Sequence, residues 1–231
     1  MSALALVLIV LAGAPPTSAA AKFNTEGFRA YQAKRYGEAL ALFKQGFEAD
    51  ERHALSHYNY AATLGLLRKQ GKVCEFDAYQ SAVLEHLEQA VKLDEGRRAR
   101  MQRDADFDSV RDTVRYQRLL GRDPAKEADL RALVVAVTWL APSVGAYGNM
   151  AVLDLAPTGG VTLSRKVMNA DGEVTVVKHR GAFSVKGPTV TITLTQALEG
   201  KKVITGRLTA DGHFVLDVLG ELSDERSECD A

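Results

Sequence analysis

From Phe23 to about Gly121 the apolar positions recur every three or four residues. Leu55, Tyr58, Ala62 and Leu66 form one such series, and Val83, Leu84, Leu87 and Val91 another. This period predicts amphipathic helices. Good helix formers dominate, and no proline stands between Ala21 and Asp123. Asp123-Pro124 is the first clear punctuation. Beyond it the period shortens and β-branched residues alternate between glycine turns. Val161–Ser164 follows Pro157-Thr158-Gly159-Gly160, and Val174–Val177 follows Asn169-Ala170-Asp171-Gly172. Thr189–Leu194 follows Lys186-Gly187-Pro188, and Ala210-Asp211-Gly212 leads into His213–Leu216. Asp-Gly between alternating runs is a hairpin signal. The pattern predicts about seven strands joined by short turns. The run Ala132–Val137 suits either a helix end or a strand, and its valines with Trp139 favour a first strand.

The expected fold is therefore α+β: N-terminal helical hairpins, then a small antiparallel β-meander curled into a barrel or sandwich to hide its edges. The expected boundaries are a signal peptide at 1–20, a helical domain at 22–122, a β domain at 129–222 and a tail at 223–231.

The N-terminus reads as an export signal. Ala3–Ala12 is almost wholly apolar, Pro15-Pro16 breaks it, and Ser18-Ala19-Ala20-Ala21 offers small residues to a signal peptidase. No Lys or Arg precedes the apolar run. The run falls short of the roughly 20 residues that span a bilayer, so no membrane span is expected. Ala14 stands where a lipidated cysteine would follow Leu11-Ala12-Gly13, which excludes a lipid anchor there. The expected location is the periplasm or the exterior.

Composition adds little. The chain has 231 residues, is 46% hydrophobic and 25% charged, and balances 29 basic against 29 acidic residues. A formal charge of zero gives no global field to draw in nucleic acid or an anionic membrane. Arg97-Arg98-Ala99-Arg100 is a local basic cluster, but Asp104, Asp106 and Asp108 follow closely, so a solvated face of mixed charge is expected. Two cysteines, Cys74 and Cys229, remain after export. Either they form a disulfide that ties the tail to the helical half, or they are two separate thiols.

Gly27, Tyr36, Ala39 and Phe43 place small residues where two helices would touch and aromatics where they would wedge. On these residues the helical half resembles the tetratricopeptide-repeat family. Gly46 and Glu51 depart from its usual Ala and Pro. A second unit is split: Ala54–Leu67 and Ala82–Asp94 resemble its two helices, with an insertion around Gly71–Asp77. The stretch from Asp104 to Leu120 resembles the segment that closes some bacterial arrays. The resemblance implies a protein or peptide partner held on a concave face lined here by Asn24, Phe28, Tyr31 and Tyr58. The lysines of the family's carboxylate-gripping members are missing. The β half is similar in its strand rhythm to lipocalin-like barrels, with Trp139 early and Gly145-Ala146-Tyr147-Gly148 soon after. Its few strand aromatics favour a packed core over a ligand cavity.

No catalytic motif stands out. The chain lacks Gly-x-Ser-x-Gly, His-Glu-x-x-His and the phosphate-binding glycine loop. His53 and His57 lie four apart, as a chelating pair would, but Asp50 and Glu51 suit a helix cap equally and no zinc spacing supports them. Acidic neighbours of both cysteines disfavour a nucleophilic thiolate. No cofactor and no metal are expected. The expected function is non-catalytic docking of a protein or peptide in the bacterial envelope. The alternative is a periplasmic small-ligand binder that uses the β domain.

Overall fold

The computed structural model describes residues 18–142, 150–225 and 229. The apolar run Ala3–Ala12 and the Gly145–Gly148 motif with Tyr147 lie outside the described residues. The chain is α+β, with paired helices followed by an eight-stranded antiparallel sheet that nearly closes into a barrel. Among the described residues no helix is long and apolar enough to cross a membrane.

Helix α1 (Ala19–Gln32) pairs with α2 (Tyr36–Ala49). The Cβ that Gly27 lacks would sit 2.7 Å from Cε1 of Phe43, so only glycine permits this approach. Ala30, Ala39 and Phe43 fill the seam. Helix α1 begins earlier than its periodicity suggests. Ser18 caps it by accepting from the Ala21 N–H, so Ser18–Ala21 forms its first turn. The second pair is α3 (Ala54–Lys69) and α5 (Gln80–Leu93), with the short α4 (Val73–Phe76) in the insertion between them. Gly46 of α2 faces the side chain of Ser56, which leaves no room for a methyl group there. Met101 of α6 (Arg97–Met101), Phe107 in a 3-10 turn (Ala105–Phe107), and Tyr116 of α7 (Val114–Leu119) join the α3/α5 core and close its open side.

The run read as a first strand behaves differently. Glu127–Val135 is helix α8, and only Trp139–Leu140 forms β1. The helical alternative prevails because Leu130, Leu133 and Val134, at three-and-four spacing, bury one face in the barrel core. The remaining strands are β2 (Ala151–Leu155), β3 (Gly160–Met168), β4 (Val174–Lys186), β5 (Thr189–Leu198), β6 (Lys201–Leu208), β7 (Phe214–Leu216) and β8 (Gly220–Leu222). They pair in sequence order. Two backbone hydrogen bonds between Leu140 and Ser223, at 2.8 and 2.9 Å, return the last strand's end to the first. Alternate residues point inward, among them Leu153, Leu163, Phe183, Ile192, Phe214 and Leu222. Gly206 on β6 makes room for the ring of Phe214. Strand β4 pairs with β5 only from Gly181 onward, so β3 and β4 continue as a two-stranded arm on which Val167, Met168, Val174, Val176 and Val177 are exposed.

Candidate functional site

The four residues expected to line a groove come from two facing helices. Asn24, Phe28 and Tyr31 follow one another at four and three residues on α1, which puts them on a single face. Tyr58 belongs to α3, where Leu55, Asn59 and Ala62 share its side. Two adjoining pockets lie along this surface. One, of about 390 Å³, is lined by Asn24, Thr25, Phe28, Arg29, Gln32, Leu55, Asn59 and Arg100. The other, of about 170 Å³, is lined by Phe28, Tyr31, Tyr58, Asn59, Arg100 and the carboxylates of Asp104 and Asp106, with Phe43 and Ala62 at its base. Phe28, Asn59 and Arg100 belong to both.

The four residues occupy different depths. Phe28 is 41% exposed, and its ring stacks on that of Tyr31 at 6.2 Å between centroids. Tyr31 is half-buried. Asn24 and Tyr58 are buried and form the floor. Asn59 Nδ2 donates to Asn24 Oδ1 at 2.9 Å, which satisfies part of a buried amide pair. The tyrosine hydroxyls are committed: Tyr31 donates to Asp106 at 2.6 Å and Tyr58 to Asp104 at 2.8 Å. Burial, reinforced by those carboxylates, pushes both phenols well above their ordinary range, so they stay protonated donors. Burial also raises the Asp106 carboxyl, against the pull of the Tyr31 hydroxyl. The Arg100 guanidinium lies over the Tyr58 ring, 5.2 Å from its centroid.

The acidic stretch expected to be a solvated face is therefore partly a wall. Asp104 and Asp106 are drawn in by two tyrosine hydroxyls, and only Asp108 keeps to the surface, paired with Lys69 at 2.7 Å. Arg29, Arg100, Asp104 and Asp106 are among the lining residues that the periodicity did not reveal. The two aspartates sit two apart on a 3-10 turn, where helical spacing says nothing about direction. The surface thus offers an exposed aromatic ring, two guanidinium groups and polar amides beside fixed carboxylates. Such a set suits an extended segment with an apolar anchor and carboxylate or amide groups.

The histidine pair on one helix face separates. His53 Nδ1 accepts from the Ser56 N–H as a helix cap, at 3.3 Å. His57 turns instead to His86 of α5, with 3.0 Å between their Nδ1 atoms, inside an aromatic stack with Phe47 and Tyr60. Among the described residues no group of three or more His, Cys, Asp or Glu side chains has metal-holding geometry.

A second cleft lies where helices meet barrel. Gln80, Ser81, Glu88, Arg115, Asp211, His213, Asp224 and Glu225 are among the residues lining a pocket of about 300 Å³. Most of its carboxylates already have partners. Glu88 takes a two-pronged hydrogen bond from Arg115, at 2.8 and 2.6 Å. Asp224 accepts from the Val114 N–H at 2.9 Å and from Gln80 Nε2 at 3.0 Å. Glu225 accepts from the Ser81 N–H at 3.0 Å. Helix α5 has no side-chain cap of its own, and Glu225 supplies one from the far end of the chain. The cysteines complete this strap: Cys74 and Cys229 form a disulfide with a Cα–Cα distance of 5.6 Å.

Inside the barrel Trp139 is fully buried. Its Nε1 donates to the Val134 carbonyl at 2.9 Å, and its ring packs on Phe214. Its surroundings are packed side chains. His179, opposite Leu163, is buried with an Nδ1 that has no partner among the described residues. Comparison with protein-family models and with curated proteins returns no match.

Proposed function

We propose that this is an exported, non-catalytic docking protein whose helical half, of the tetratricopeptide-repeat kind, holds a protein or peptide segment along the α1–α3 face. The observation that carries this reading is the pair of adjoining pockets centred on exposed Phe28 and edged by Arg29 and Arg100. The disulfide accords with an oxidising compartment such as the periplasm or the exterior. The repeat signature has a physical counterpart in the close approach of Gly27 to Phe43 and in the lid that Phe107 and Tyr116 form over the second pair.

The test is a photo-crosslinking amino acid placed at position 28, with position 180 on the barrel as control, followed by affinity measurement on the purified partner. The expected result is a partner captured from position 28 alone, whose binding weakens by about tenfold or more in Phe28→Ala. Unchanged affinity in both Phe28→Ala and Arg100→Gln sinks the reading. A second reading, a small ligand in the barrel, draws on the partnerless Nδ1 of His179. It predicts a ligand whose affinity responds to His179→Phe and ignores Phe28→Ala.

A further inference from the structure

A larger pocket adjoins the junction cleft and has the opposite charge. Its volume is about 510 Å³, and Arg98, Arg115, Arg118 and Arg122 line it together with Glu88, Asp123, Leu119, Gly121, Pro124 and Ala210. Four guanidinium groups thus meet in one cavity between the helical half and the barrel.

Two of them are already neutralised. Arg115 is held by Glu88, and Arg98 by Glu95, with Nε 2.7 Å from a carboxylate oxygen. The other two are not. Arg118 donates to the backbone carbonyls of Thr209 and Ala210, and Arg122 donates to Gln117 Oε1 at 2.9 Å. These are neutral acceptors. Among the described residues no carboxylate oxygen lies within 4.0 Å of either guanidinium. The Asp123 carboxylate, also in the lining, accepts from the Ala125 N–H at 2.9 Å and keeps its charge, so four guanidinium groups face two carboxylates, those of Glu88 and Asp123.

Positive charge in excess within a cavity attracts anions. Guanidinium forks match the paired oxygens of phosphate and carboxylate. The Thr209 and Ala210 carbonyls hold the Arg118 guanidinium in place before any ligand arrives, which lowers the ordering cost of binding. Leu119, Pro124 and Ala210 add an apolar wall that a bare ion would not need. We propose that this pocket binds a small multivalent oxyanion, a molecule that carries phosphate or carboxylate groups with at least two negative charges. The site is independent of the α1–α3 groove.

The test is calorimetric titration of the full exported chain with pyrophosphate and with citrate at constant ionic strength, run on the wild type, Arg122→Gln, Arg122→Lys and Arg180→Gln. Arg122 is exposed, so its replacement leaves the junction intact, and Arg180 on β4 is the control. The expected result is saturable binding of at least one probe at a single site. Its affinity falls by about tenfold in Arg122→Gln, recovers in part in Arg122→Lys and is unchanged in Arg180→Gln. Absence of saturable binding by either probe overturns the proposal. So does equal weakening in Arg122→Gln and Arg180→Gln, which marks diffuse charge attraction. Vesicles of phosphatidylglycerol form the last arm. Arg122-dependent sedimentation with them, without binding of either soluble probe, assigns the pocket to a lipid headgroup and overturns the small-molecule ligand.

Discussion

The carboxylate of Asp224, just past the last strand, accepts a hydrogen bond from the Val114 backbone N–H at the start of α7, 110 residues earlier. With Gln80 as its second donor, one side chain joins the barrel's end to two helices. Asp224→Ala leaves both donors without this acceptor and is expected to cost about 1–3 kcal/mol. Burial holds the Asp224 carboxyl above the ordinary aspartate range, so the folded chain favours its protonated form. The linked stability is fully present below the unfolded value of about 3.9 and is lost as pH rises through the raised folded value. Urea titrations should therefore show a wild-type advantage over Asp224→Asn that shrinks as pH rises from about 3.9 through the raised folded value. An advantage that grows as pH rises would show that the Asp224 carboxyl is lowered in the folded chain.

The disulfide closes a loop with a sequence separation of 155 residues. Chain entropy assigns such a loop about 5 kcal/mol, and removal of native bridges commonly costs about 2–5 kcal/mol. Cys74→Ser with Cys229→Ser is expected to lower the denaturation midpoint, and a reductant should move the wild type to the same value. Identical midpoints with and without reductant would count against a stabilising role.

Gly27→Ala drives a methyl group into Phe43, which is fully buried. Overpacking of this kind costs about 1–3 kcal/mol. The check is the thermal midpoint, with Gly37→Ala as comparison, because a Cβ at Gly37 would meet Phe76 only at 3.4 Å. Equal shifts in the two variants would contradict the packing argument.

His57 and His86 share a hydrogen bond between neutral rings. Burial pushes His86 down to about 4, aided by the His57 charge, and burial also lowers His57. A base lowered by folding resists protonation, so its stability contribution is present above about pH 6.5 and is lost as pH falls toward the folded value. The unfolding free energy should therefore decline over that interval. His86→Gln keeps a hydrogen-bonding group and cannot titrate there, so its profile should be flatter. Parallel profiles would remove the pair from the acid response.

The paired helices were legible because their determinants are local. Gly27, Ala39 and Phe43 report a helix contact through size and spacing alone, and Asp-Gly and Gly-Pro turns marked the hairpins in the same way. Three things were hidden. Ala132–Val137 carries β-branched residues that suit a strand, and its helix depends on the barrel mouth that receives Leu130, Leu133 and Val134. Asp104 and Asp106 read as surface charge because their tyrosine partners lie 46 and 75 residues upstream. The caps from Asp224 and Glu225 reach across the whole second half of the chain. Of the groove, Phe28 and Tyr31 were legible as an α1 face. The burial of Asn24 and Tyr58 follows from α3 and its neighbours, which no single-helix pattern contains.

The bond between Cys74 and Cys229 also makes a covalent ring of everything from α4 to the tail. One cut in any surface turn of that ring, such as the hairpin tip at Asn169–Glu173, yields two pieces that remain a single molecule. Only added thiols part them. A chain nicked once therefore keeps its halves at the local concentration of neighbours, and damage by a single protease event stays invisible to size until the bridge is reduced.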